Sequence, residues 1–191
     1  AKELFSLIEK YSFDKDKNGY FEAYSRDWLL LDDVRLSDKD ANEKKTMNTH
    51  LHLLEAYTHL FRVWKNPLLE MQLKNLIDLF LDKIINSETY HLNLFFDENW
   101  ACKSFIQSFG HDIEASWLLD EAATVLGDGE TLQKVRNVVF RVADAAAEGF
   151  REDGGLMNEK NVVTNYLDTN SDWWPQAEAV VGFFNAFQLS K

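Results

Sequence analysis

Apolar residues recur three and four apart along most of this chain, the spacing that lines one face of a helix. Leu4, Leu7, Ile8 and Tyr11 predict a first helix near residues 2–11. A longer one is expected from about 43 to 65, broken by Asn66-Pro67, and a third runs on to about 86. That third segment carries Leu69, Leu73, Leu76, Ile77, Phe80, Leu81 and Ile84 as a clean apolar face. A further pair is expected at about 111–126 and 129–148, split by Gly127-Asp128-Gly129, and a last helix at about 174–189. The two prolines, Pro67 and Pro175, each sit where a helix can start. Between helices the pattern changes. Asn18-Gly19 followed by Tyr20, Phe21 and Tyr24 predicts a turn and a short strand. Residues 91–96 alternate and predict another strand, and a short strand is expected after Asp153-Gly154-Gly155.

The helices repeat. Asn48, His111 and Trp174 are spaced 63 residues apart, each at or just before a helix start, and His52, Ala115 and Glu178 follow the same step. Each unit reads as loop or hairpin, inner helix, turn, outer helix. Short helical solenoid repeats have periods of about 34–47 residues, so this longer period argues against them. It fits an all-α (α/α)6 barrel of helical hairpins with short β-hairpin insertions, in which the starts of the inner helices surround one pocket. Six hairpins need about twice this chain. The expectation is therefore a single domain over 1–191, the central part of such a barrel.

Composition narrows the function. Apolar residues make up 46% and charged residues 27%, as in ordinary soluble globular proteins. The formal net charge is −12, with no basic stripe; Lys44-Lys45 lies among acids, which argues against a nucleic-acid partner. No apolar run approaches the roughly 20 residues that span a bilayer. A single cysteine, Cys102, excludes an intrachain disulfide framework and makes a reducing, cytoplasmic setting the default. The chain opens inside a helical pattern with no initiator Met, which reads as a piece of a longer protein, so the lack of a signal peptide carries no weight. Aromatics reach 14%, more than a core needs, and some Trp and Tyr are candidates to stack on sugar rings.

Three segments carry candidate chemistry. In MNTHLHLLEAY, Asn48 and His52 are four apart and share a face, while His50 points elsewhere. A lone histidine on such a face is more often a satisfied core residue. In FGHDIEASW, His111 and Glu114 are three apart near a helix start, a pair suited to proton transfer, with the carboxylate orienting the imidazole and favouring its charge. The alternative is a first-turn acid answering the helix dipole, which Asp112 fits better than Glu114. In DWWPQAEA, Trp173 and Trp174 precede a helix-starting Pro, with Gln176 and Glu178 as polar neighbours suited to a sugar. Metal ligation is not expected: His50 and His52 diverge on a helix, and no HExxH arrangement occurs.

These three segments, with the hairpin GYFEAYSRDW, resemble the matching stretches of cellobiose 2-epimerases in the N-acylglucosamine 2-epimerase superfamily. The resemblance covers essentially the whole chain. It implies reversible epimerisation at C2 of the reducing-end glucose of β-1,4-linked disaccharides such as cellobiose and lactose, through an enediolate, with no cofactor. By motif position His111, Glu114 and His52 form the catalytic set, and Asn48, Trp173, Trp174, Tyr20 and Glu178 contact a small-molecule sugar. The family's second catalytic histidine and a sugar-contacting arginine lie outside these 191 residues, so this piece is expected to be inactive alone and to expose a barrel flank that invites self-association. The nearest alternatives are an N-acylglucosamine 2-epimerase or aldose–ketose isomerase of the same superfamily. A glycoside hydrolase on an (α/α) barrel, with Glu114 and Glu178 as its carboxylates, and a helical-repeat interaction module are more distant readings.

Overall fold

The computed structural model describes residues 1–36 and 40–191. Six α-helices dominate them: α1 (Lys2–Tyr11), α2 (Met47–Val63), α3 (Pro67–Leu79), α4 (Phe109–Leu126), α5 (Gly129–Ala147) and α6 (Trp173–Leu189). The ends follow local chemistry. Thr46 accepts the Thr49 amide at the start of α2, Asn66 accepts the Leu68 and Leu69 amides ahead of Pro67, and Asp128 accepts the Glu130 amide before α5. Gly127 closes α4 with φ 79°, the left-handed cap that glycine supplies without strain. The helix expected to reach about 86 instead ends at Leu79 and passes into a π-helical turn, Phe80–Ile84.

The strands are shorter than the pattern predicts. β1 (Lys45–Thr46) pairs antiparallel with β2 (Phe95–Phe96), and β3 (Ile106–Ser108), β4 (Glu159–Asn161) and β5 (Leu167–Asp168) form a second antiparallel sheet in that order. Only Phe95 and Phe96 of the expected 91–96 strand are ladder-paired, and the residues around the Asn18-Gly19 turn form isolated bridges, Phe13 to Tyr20 and Tyr24 to Leu30. Side chains distant in sequence take the amides a strand would use. The Tyr20 N–H donates to His50 Nε2 at 3.0 Å, and the Leu92 N–H donates to Asp112 Oδ1 at 2.8 Å. The Asn18-Gly19 turn itself forms as expected, with φ 65° and 85°. A side chain on Gly19 would also collide with Trp100, whose Cζ2 lies 2.3 Å from the position a Cβ would take.

Helices α2, α4 and α6 pack side by side, with α3 behind α2 and α4, and α5 behind α4 and α6. The predicted apolar face of α3 is inside: Leu69, Leu73, Leu76, Ile77, Phe80 and Ile84 are fully buried, and Leu81 packs against them. Each such side chain contributes about 1.5–3 kcal/mol relative to exposure. Helix α4 is enclosed on nearly every side and therefore uses small residues, Ala115, Ala122 and Ala123. At its contact with α6, a Cβ on Gly182 would stand 2.8 Å from the Ile113 carbonyl oxygen, so the close approach of the two helices depends on glycine. Among the described residues no helix is long and apolar enough to cross a membrane.

The N-terminal segment is locked to this frame by Lys45, which in the sequence stands out only as one of two lysines among acids. Its side chain is fully buried, and its ammonium donates to Asp14 Oδ2 at 2.7 Å and to the carbonyls of Asn18 and Glu98 at 2.7 and 2.9 Å. All three N–H bonds are used. Lys45→Ala is expected to destabilise the fold by about 3–5 kcal/mol, because Asp14 is left as an uncompensated buried charge. Urea denaturation checks this, and the further change Asp14→Asn should recover part of the loss.

Candidate active site

The inner helices begin at Met47, Phe109 and Trp173, and the short strands set those starts. Lys45 and Thr46 in β1 lead directly into α2, and the β3 residue Ser108, paired with Glu159, leads directly into α4. A cavity of about 280 Å³ opens beside these two starts, its wall including Glu22, Thr46, Asn48, His111, Asn158 and Glu159. Asn48 and His111, identified from the 63-residue step, thus line one cavity.

His111 is held from two sides. Its Nδ1 lies 2.8 Å from Ser108 Oγ, and its ring is 4.8 Å from the ring of Trp174 at 53°. Trp174 reaches this position across Gly110, where a Cβ would stand 2.7 Å from the indole Cη2. Burial, with a smaller push from the charge of His52, lowers the His111 pKa to about 4. The imidazole is neutral at physiological pH.

Glu114 does not pair with it. No hydrogen bond joins the two side chains, and His111 takes Ser108 as its partner instead. Buried to 8% exposure, Glu114 has its pKa raised to about 8, first by desolvation and then by the charges of Glu178 and Glu55. The expected pairing, with a carboxylate favouring a charged imidazole, is therefore corrected: each group is pushed toward its neutral form. Glu178 accepts the Trp117 indole N–H at 2.8 Å. His52 is exposed, 3.4 Å from Glu55 through Nδ1, and close enough for its charge to act on His111.

The remaining candidates separate. Trp174 is half-buried beside His111, whereas Trp173 is 81% exposed. Gln176 accepts the Leu156 amide and donates to the Leu156 carbonyl, at 2.9 and 2.8 Å, so its amide anchors the start of α6. Tyr20 is a correction: it is fully buried, and its hydroxyl donates to Glu9 at 2.8 Å. The hairpin turns this ring inward against Phe13, His50 and Tyr57, away from the cavity. His50 is likewise structural: it is buried, with Nδ1 donating to the Thr46 carbonyl and Nε2 accepting from Tyr20.

Sequence reasoning missed Glu22 and Ser108. Glu22 lines the cavity and accepts from the hydroxyls of Thr46 and Thr49; burial raises its pKa in spite of those bonds. It was hidden in the aromatic alternation of the hairpin. Ser108, three residues before His111, has the look of an ordinary helix cap. Among the described residues no three His, Cys, Asp or Glu side chains are grouped to hold a metal ion.

The family model for N-acylglucosamine 2-epimerase (GlcNAc 2-epimerase) matches residues 1–190. The chain belongs to this family. As a member of the N-acylglucosamine 2-epimerase family, it is 56% identical over 188 residues to the cellobiose 2-epimerase of Bacteroides fragilis, covering 98% of this chain and 48% of that one. It is 40% identical over 190 residues to the cellobiose 2-epimerase of Ruminococcus albus, again covering 48% of the relative. The solved cellobiose 2-epimerase from Bacillus thermoamylovorans superposes with a TM-score of 0.91 at 39% identity, over 98% of this chain and 47% of that one. The chain spans about half the length of the relatives it matches, and its helices form part of an (α/α)6 barrel.

The raised pKa of Glu114 gives a prediction with a definite sign. Its folded value, about 8, lies above the ordinary 4.5, so the folded state holds the proton more tightly than the unfolded one. The resulting stabilisation is complete below pH about 4.5 and is lost as pH rises through about 8. Glu114→Gln should therefore exceed the wild type in stability by about 2–4 kcal/mol at pH 9, with the gap closing near pH 4. Denaturant titrations at the two pH values check this, and an unchanged gap would mean that Glu114 ionises normally.

Proposed function

We propose that the protein is a sugar 2-epimerase acting on the reducing-end glucose of β-1,4-linked disaccharides, cellobiose and lactose among them. The observation that carries this reading is the neutral His111 at the cavity wall, braced by Ser108 and Trp174, in a chain 56% identical to a cellobiose 2-epimerase. The proton at C2 of an open-chain sugar is only weakly acidic, so its removal requires an unprotonated base and groups that stabilise the oxygen charge that develops. His111 supplies the base: with Nδ1 engaged by Ser108, Nε2 takes the C2 proton as the C–H electron pair moves into the enediolate. Asn48 and His52 stabilise the C1 and C2 oxygens by donating hydrogen bonds. Glu114, protonated at neutral pH, donates to a sugar hydroxyl, and Trp174 stacks on a ring. After the intermediate rotates, the second histidine that the resemblance places outside these 191 residues returns a proton to the opposite face of C2. His111 releases its own to solvent, and the mannose epimer results.

Incubating the intact protein with cellobiose in deuterated water and following C2 by NMR tests this. Deuterium is expected at C2 as glucosyl-mannose appears. His111→Ala should lower kcat by about 10³-fold. Trp174→Ala should raise KM about tenfold through lost stacking. Absence of exchange at C2 would sink the reading. Turnover of an N-acylglucosamine or of mannose would move the activity to another branch of the family, and release of monosaccharide would indicate a hydrolase.

A further inference from the structure

Ser108 occupies the N-cap position of α4, where a serine hydroxyl ordinarily accepts an amide from the first turn, yet it makes no such bond. The side chain is 1% exposed, and its oxygen lies 2.8 Å from His111 Nδ1. Its main chain is held by the pairing of Ser108 with Glu159, and the next amide, Phe109 N–H, donates to the Asn158 carbonyl. The hydroxyl is thus fixed in place and directed at the ring rather than at the helix.

We propose that Ser108 is a positioning residue for His111, one whose single hydroxyl holds the ring in either neutral tautomer. A hydroxyl both donates and accepts. When it accepts from Nδ1–H, Nε2 presents a lone pair to the cavity and acts as a base. When it donates to Nδ1, Nε2 carries the proton and can donate it to a sugar oxygen. The ring need not move between these states. A carboxylate in the same place accepts only, which would confine the ring to one tautomer and favour its charge.

The same protein contains that contrast. His91 is held through Nδ1 by the Asp112 carboxylate at 2.6 Å. Burial alone would lower its pKa, but the bond to Asp112 and the charges of Asp112 and Glu148 raise it. His111, with a hydroxyl as partner, is lowered. The choice of partner atom at Nδ1 separates a histidine whose pKa is raised from one whose pKa is lowered.

The positioning role rests on the Ser108–His111 contact; its catalytic use rests on the epimerase reading, and the test separates them. The intact protein is labelled with ¹⁵N at histidine, and the ring shifts of His111 are followed against pH in wild type, Ser108→Ala and Ser108→Asp. Ser108→Ala is expected to shift the tautomer population. Ser108→Asp should drive the ring to the Nδ1–H form and raise its titration toward that of His91. In C2 exchange, Ser108→Ala should lower kcat about tenfold with KM little changed, because ring placement is lost while binding is kept. Its thermal unfolding should be near that of the wild type, since the hydroxyl caps nothing. Ring shifts and titration of His111 that are the same in Ser108→Ala as in wild type would overturn the proposal. If the shifts change but no form exchanges C2, the positioning role stands and the epimerase reading falls.

Discussion

A carboxylate enclosed at the start of α4 fixes the site. Asp112 is fully buried, accepts the Leu92 amide at 2.8 Å and meets His91 Nδ1 at 2.6 Å. These bonds tie the 85–96 segment to the first turn of the most enclosed helix in the fold. That segment continues into β2, which pairs with β1 and so leads to the start of α2. Two of the three inner helices are therefore registered through one acid. Breaking such a buried pair by removing one partner leaves a charge with nowhere to go, so the geometry holds or fails as a unit. With Asp112 turned back toward this loop, its neighbour His111 faces the cavity.

The groups gathered there are balanced against charge. Burial above all keeps His111 neutral, while burial and neighbouring carboxylates keep Glu114 protonated to about pH 8. An uncharged imidazole and an uncharged carboxyl on this helix are what the proposed sugar substrate would call for. The charged residues of the interior do structural work elsewhere: Lys45 with Asp14 at the N-terminal hairpin, and His91 with Asp112.

Glycines set how near the helices come. Gly110 admits Trp174 beside His111, and Gly182 lets α6 lie against the Ile113 carbonyl. Through these two contacts the third repeat sets an aromatic ring against His111, which itself lines the cavity. The exposed Trp173 and the half-buried Trp174 are adjacent and identical in type, and only the packing of α6 on α4 distinguishes them.

The helical hairpins, their caps and their repeat were legible in the sequence because they rest on short-range physics. Period-3.6 patterning, Asn66-Pro67 and Gly127-Asp128 act within a turn of the positions they control. The 63-residue step likewise aligned Asn48, His111 and Trp174, because equivalent positions of repeated hairpins face the same way. Strand length was not legible, since the amides of Tyr20 and Leu92 are taken by side chains thirty and twenty residues away. The pairing of His111 was misread for the same reason. Spacing along a helix puts Glu114 on the right face, but the nearest partner atom belongs to Ser108 on the preceding strand. Tyr20 was lost from the site because the direction in which a hairpin folds depends on what it folds against. Local pattern settled the helices, their order and the alignment of Asn48, His111 and Trp174; tertiary packing decided protonation, which tryptophan lies against His111, and which polar group holds the histidine, because burial and contact at a distance arise only once the chain has closed on itself.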